Sequence, residues 1–203
     1  MKHLSTALPA GIFAVVMLGA ASPAGCGGNG SAALGSATSS SAKSGDEVAR
    51  EFTASLTGFQ ETPAISTPGH GTFKASLSDD ESTVTFELTY ADLKGVDSGG
   101  APTMAHVHLG QRGVAGGVAV FLCGGGGRPA CPPQPATVTG TFTAADVVGP
   151  TAQGIDAGGL ADLIQAARAG FTYANVHTAR FPTGEIRGHI RGHDDRGGDR
   201  DGD

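Results

Sequence analysis

The chain has 203 residues, 34 of them glycine, with no tryptophan, 5% aromatic and 16% charged residues, and a formal net charge of -6. That length suits one domain with extensions, and the glycine-rich, charge-poor composition argues for a turn-rich all-β domain flanked by low-complexity segments rather than a helical bundle. No cluster of Lys and Arg reaches the roughly five residues expected of a phosphate-tracking patch, so no nucleic-acid partner is expected.

The first element is an export signal. Lys2 and His3 precede an apolar run from Ala10 to Ala21, within the roughly 7–15 residues of a signal-peptide core and short of the about 20 that cross a bilayer. Ser22-Pro23-Ala24-Gly25-Cys26 follows. Small residues directly before a cysteine resemble a bacterial lipoprotein lipobox, which implies that Cys26 becomes the lipidated first residue of the mature chain. Pro23 stands where an aliphatic residue is usual, so ordinary cleavage after an alanine or Gly25 is the alternative. Residues 1–25 are thus expected to be the signal, and 26–50 the anchor cysteine with a Gly/Ser/Ala linker that has no apolar period to repay ordering. Such a linker has a reach of roughly 25–30 Å. The expected location is the cell envelope, with the membrane as partner through the anchor, or secretion if Cys26 is unmodified.

From Glu51 to Ile190 apolar residues alternate with polar or small ones. Phe52-Ala54-Leu56, Phe73-Ala75-Leu77, Val84-Phe86-Leu88-Tyr90, Ala105-Val107-Leu109, Val118-Val120-Leu122, Val138-Gly140-Phe142, Ala174-Val176 and Ile186-Ile190 read as half-buried antiparallel strands, separated by Gly, Pro, Asp and Ser. Asp79-Asp80-Glu81 falls between two of them as a polar hairpin turn, and His70, in a Gly69-His70-Gly71 turn, is expected to be solvated. Gly159 to Gly170 departs from this pattern: Leu160, Leu163, Ile164 and Ala167 share one helical face and Gly170 supplies a stop. The tail from 192 to 203 alternates aspartates at 199, 201 and 203 but ends before later calcium-loop ligands could follow, and reads as disordered.

With Cys26 lipidated or removed, Cys123 and Cys131 remain, bracketing a loop of four glycines, Arg128, Pro129 and Ala130. A disulfide there suits an oxidising compartment and contributes about 2–3 kcal/mol in the chain-entropy model. A metal-binding cysteine pair would need two further ligands that this loop does not supply.

Taken together, Glu51 to Pro63, Ala105-His106-Val107-His108-Leu109-Gly110, Thr141 to Val147, and Tyr173 to Thr178 with Phe181 to Gly188 resemble a CHRD (chordin-type) domain over about residues 51–191. The resemblance implies an immunoglobulin-like antiparallel β-sandwich or barrel with one short helix. It implies no reaction. The family takes its name from an animal extracellular protein that binds growth factors, a role not carried over to a lipoprotein-like chain.

The histidines raise a more specific question. His106 and His108, two residues apart, share a strand face about 6.5–7 Å from each other, opposite the aliphatic set, and His177 lies on the polar face of another strand. If those strands are neighbours, three imidazoles converge, a donor set for copper or zinc rather than for calcium or magnesium. Over those few residues His-Val-His also resembles the copper-binding strand of copper-zinc superoxide dismutases, but the chain lacks their zinc loop and bridging-histidine spacing, so no dismutase activity is implied. The alternative is a solvated strand face whose rings bond to Asn175, Glu185 or loop carbonyls. Asn175, Glu185, Arg187 and His189 are the polar neighbours of either site; Glu185 and Arg187 share a strand face and are open to pairing with each other, with Arg180 or with an anionic ligand, the default being a cross-strand ion pair.

No Gly-x-Ser-x-Gly or His-Glu-x-x-His occurs, and neither a hydrolase nor a thiol nucleophile is supported. Two functions stay open: a noncatalytic tethered module for an unidentified extracytoplasmic ligand or protein, and a copper protein with or without redox activity.

Overall fold

Period-two burial builds the strands of the computed structural model, which describes residues 48–97 and 100–193. The export signal, Cys26, the linker through residue 47 and the aspartate tail from 194 lie outside the described residues. In β1 (Glu51–Thr57) Phe52, Ala54 and Leu56 are buried while Glu51, Thr53 and Ser55 are exposed. β2 (His70–Leu77) and β3 (Thr83–Ala91) repeat the pattern, and β4 (Met104–Leu109), β5 (Gly117–Cys123), β6 (Ala136–Thr143), β7 (Thr172–His177), β8 (Ile186–His189) and β9 (Arg191–His193) complete the set.

All ladders are antiparallel, in the order β5-β4-β7-β8-β1-β2-β3-β6, with β9 also on β1. The free edges approach through a bridge between Val120 of β5 and Val147 just beyond β6. The result, among the described residues, is a nearly closed antiparallel barrel with one α-helix: the alternation predicts the antiparallel strands, and the family resemblance implies the sandwich or barrel. Its interior is aliphatic, with a column of phenylalanines in which Phe73 and Phe86 centroids stand 6.5 Å apart and Phe86 and Phe142 6.2 Å apart.

Helix α1 (Leu160–Arg168) buries Leu160, Leu163 and Ile164. It stops where expected: Phe171 N–H donates to Ala166 O and Gly170 N–H to Ala167 O, the paired bonds of a Schellman end. Leu163, Ile164 and Ala167 join Phe52, Phe142 and Ile190 around a small apolar cavity. Arg168 in the last turn donates to Ala49 O and pairs with Glu81 at 2.8 Å.

The Asp79-Asp80-Glu81 turn joins β2 to β3 as expected, and His70 is exposed, although it opens β2 rather than sitting in a turn. Cys123 and Cys131 form the disulfide, their Cα atoms 5.0 Å apart. The strand expected over Ile186–Ile190 ends at His189; Ile190 N–H turns to Thr172 O, and Gly192 and His193, placed by sequence in the tail, pair with Phe52 and Glu51.

One expectation fails in a way that matters for function. β7 and β8 are buried along their whole lengths, and β4 is buried from Ala105 to His108. Their polar faces are therefore not half-exposed surface.

Candidate functional site

β4, β7 and β8 are adjacent, so the register lays their non-aliphatic faces out as a grid. Met104 pairs with His177; His106 pairs with Asn175, and Asn175 with Arg187; His108 pairs with Tyr173, and Tyr173 with His189. His106, His108 and His177 are only 3%, 7% and 7% exposed. Loops cover them. His108 Nδ1 lies 3.0 Å from Gly116 O of the β4–β5 connection, His177 Nδ1 lies 2.9 Å from Pro182 O of the β7–β8 connection, and Glu61, just after β1, reaches Asn175. Phe121 of β5 stands edge-on to His106 with centroids 4.5 Å apart. The disulfide-bounded loop passes over Phe121 so closely that a Cβ on Gly125 would lie 2.6 Å from its ring.

These contacts set the protons. A carbonyl only accepts, so Nδ1–H of His177 donates to Pro182 and its Nε2 keeps a lone pair. His106 Nδ1, 3.1 Å from that Nε2, is the donor, which leaves His106 Nε2 buried with a lone pair and no partner among the described residues. His108 Nδ1–H donates to Gly116 by the same logic, freeing its Nε2. Burial drives all three rings toward the neutral form: His106 is pushed down to about 3 by desolvation and by the neighbouring His177 and His108, and His108 is pushed down to about 4 chiefly by desolvation. His177 is lowered for the same reason.

Asn175 connects this cluster to a buried acid. One end of its amide is 3.1 Å from His108 Nε2 and the other 3.1 Å from Glu61 Oε1. With Nδ2 donating to an ionised Glu61, Oδ1 faces His108 Nε2, which must then carry the ring proton in place of Nδ1, at the loss of the bond to Gly116 O. With the amide turned by half a rotation, protonated Glu61 donates to Oδ1 and Nδ2 donates to the His108 lone pair, and every group is neutral. Desolvation pushes Glu61 up to about 7, against the opposing effects of Asn175 and Arg187, which favours the neutral arrangement below that pH. Gly184 is required here, since a Cβ on it would lie 2.3 Å from both Asn175 Nδ2 and Glu61 Oε1.

Arg187 is 1% exposed. It donates to Gln111 O, Val114 O and His189 Nε2, and its guanidinium carbon lies 3.4 Å from the Tyr173 ring centroid. Tyr173, on the strand between them, also stacks on His108 at 4.7 Å and 2°. The expected Glu185–Arg187 ion pair does not form. Glu185 is fully buried and instead accepts from Thr67 at 2.6 Å, Thr178 at 2.9 Å and the backbone N–H groups of Lys94 and Gly95, a closed set of donors that leaves Arg187 to the loop carbonyls.

Of the sequence candidates, His106, His108 and His177 converge, with Asn175 in direct contact with His108; Arg187 and His189 flank them through Tyr173, and Glu185 holds a separate loop. Tyr173 could have been found by continuing the alternation back from His177 and Asn175. Glu61 and Phe121 gave no comparable signal, because one lies in an irregular turn and the other points to a strand neighbour that only the register reveals.

One ring nitrogen from each histidine lies within 4.8 Å of the others. A tetrahedral ion with metal–nitrogen distances near 2.0–2.1 Å needs ligand atoms about 3.3 Å apart, so ligation requires the rings to close inward by up to about 1.5 Å and the His106 Nδ1–H bond to His177 Nε2 to give way. Two of them already have Nδ1 fixed on a backbone carbonyl, the outer contact that orients metal-bound imidazoles.

The described residues thus form a nearly closed antiparallel barrel with a buried polar face. The family model for the CHRD domain matches residues 52–190, and the chain belongs to the CHRD domain family. No curated protein and no solved structure matched the chain.

Proposed function

We propose that this CHRD domain is an exported, membrane-tethered, noncatalytic binding module whose buried imidazoles take up copper or zinc. The observation that carries the metal reading is the convergence of His106, His108 and His177, neutral and buried, with two rings anchored through Nδ1. Three nitrogen donors without a carboxylate among them suit borderline or soft ions. Export rests on the apolar run from Ala10 to Ala21, anchoring on Cys26, and both agree with a domain that carries a disulfide.

Metal analysis of the protein purified from its native envelope fraction tests the first part. We expect about one equivalent of copper or zinc, lost in the His106→Ala/His108→Ala double variant. Metal-free protein that takes up neither ion at neutral pH refutes it and leaves the imidazoles as hydrogen-bonded supports for the covering loops, a role that the Gly116 and Pro182 contacts favour. Mass spectrometry of the mature N-terminus tests the second part: a lipid-modified Cys26 is expected, and an unmodified chain starting elsewhere refutes it.

A further inference from the structure

An apolar side chain shares the histidine face. Met104 lies two residues before His106 on β4, so period two puts it on the side of His106 and His108 and away from Ala105 and Val107. The β4–β7 ladder keeps one unbroken register from Met104 to Leu109, which makes Met104 the direct cross-strand partner of His177. Directly opposed residues have Cβ atoms about 4.5–5.5 Å apart, within reach of a flexible methionine. Met104 is half-buried and takes no part in the aliphatic core or in the set of partly buried residues packed against it, whereas Leu109, at the other end of the same strand, does. A methionine placed beside imidazoles instead of in the available core needs a reason. Its thioether is a soft donor that binds copper(I) and contributes little to zinc(II).

Building on the metal reading above, we propose that the ion is copper and that the Met104 thioether completes the three-imidazole set, making Met104 the residue that selects copper(I) over zinc(II). Three neutral nitrogens and one neutral sulfur add no charge to the site. They match a monovalent ion better than a divalent one, because the buried Arg187, stacked on the Tyr173 ring that also stacks on His108, already brings positive charge close. No redox step is required: the site holds copper(I) as supplied.

The test is an anaerobic competition titration of the full mature protein with copper(I) and, separately, zinc(II), for the unsubstituted chain and for Met104→Leu, which keeps the side-chain volume. Met104→Leu is expected to weaken copper(I) binding by about tenfold or more while zinc(II) affinity stays within about twofold. X-ray absorption of the copper(I)-loaded protein is expected to show a sulfur scatterer that the variant lacks. Unchanged copper(I) affinity, parallel loss of both ions, or a nitrogen-only shell overturns the role of Met104 while leaving the imidazole site standing. Failure of the unsubstituted protein to bind either ion overturns the site and this proposal together. Circular dichroism of Met104→Leu checks that the barrel is intact.

Discussion

Glu61 and His108 are joined through a single amide, that of Asn175, with 3.1 Å on either side. Ionisation of the acid therefore sets Asn175 Oδ1 against Gly116 O in a competition for the imidazole proton. We expect His108 to be the Nδ1–H tautomer at about pH 6 and, as the pH passes about 7 and Glu61 ionises, to shift toward Nε2–H to the extent that the new bond to Asn175 outweighs the lost Nδ1–H bond to Gly116 O. Nitrogen NMR of labelled histidine reads this directly. In Glu61→Gln the side-chain amide donates to Asn175 at every pH and the shift disappears; an unchanged tautomer across that range in the unsubstituted protein refutes the relay.

Acid should destabilise the metal-free protein through the same cluster. His106, His108 and His189 are held down at about 3, 4 and 4, against an ordinary value of 6.5, and His177 is lowered as well. Below 6.5 the unfolded chain takes up protons that the folded chain refuses, so stability is complete above that pH and falls as the pH drops toward the folded values. Glu61 acts with the opposite sign: its raised value gives stability that is full below 4.5 and is lost as the pH rises through about 7. Denaturant titrations from about pH 4 to about pH 8 should show a steep acid limb, steeper still in Glu61→Gln. A flat profile below pH 6.5 counts against buried neutral imidazoles.

Replacing Cys123 and Cys131 by serine should cost about 2.5 kcal/mol from the lost loop constraint alone. The loop passes over Phe121, which faces His106, so the same variant should also bind metal more weakly. Urea unfolding and a metal titration on one sample separate the two effects, and unaltered metal affinity would mean that Phe121 keeps its place without the bridge.

Glu185→Gln should cost about 2–3 kcal/mol, because an amide N–H₂ then faces donors that now meet a carboxylate. Glu185 touches none of the three histidines' hydrogen-bond partners, so metal stoichiometry is expected to persist in the folded variant. A cost below about 0.5 kcal/mol would show that the Lys94–Gly95 backbone finds water instead.

Much of this was legible in the sequence, and the remainder fails for identifiable reasons. Alternation alone puts His106, His108 and His177 opposite the aliphatic residues, and the helix from Leu160 carries its stop signal in Gly170. The burial of that polar face was not legible. It depends on Gly110–Gly116, the turn holding Glu61 and the Pro182 loop, segments without period whose contacts with the histidine face no local pattern announces. Glu185 and Arg187 show a second limit: spacing of two fixes a shared face, but the donors that satisfy Glu185 come from Thr67, Lys94 and Gly95, far away in sequence.

Glu51 is the register partner of His193, while Thr57 at the other end of β1 is the partner of Arg187. The described chain thus enters and leaves through one rim, and the imidazole grid lies near the opposite rim, about 20 Å along the strand. A fluorophore, affinity handle or solid support attached at either end leaves the histidine rim pointing outward.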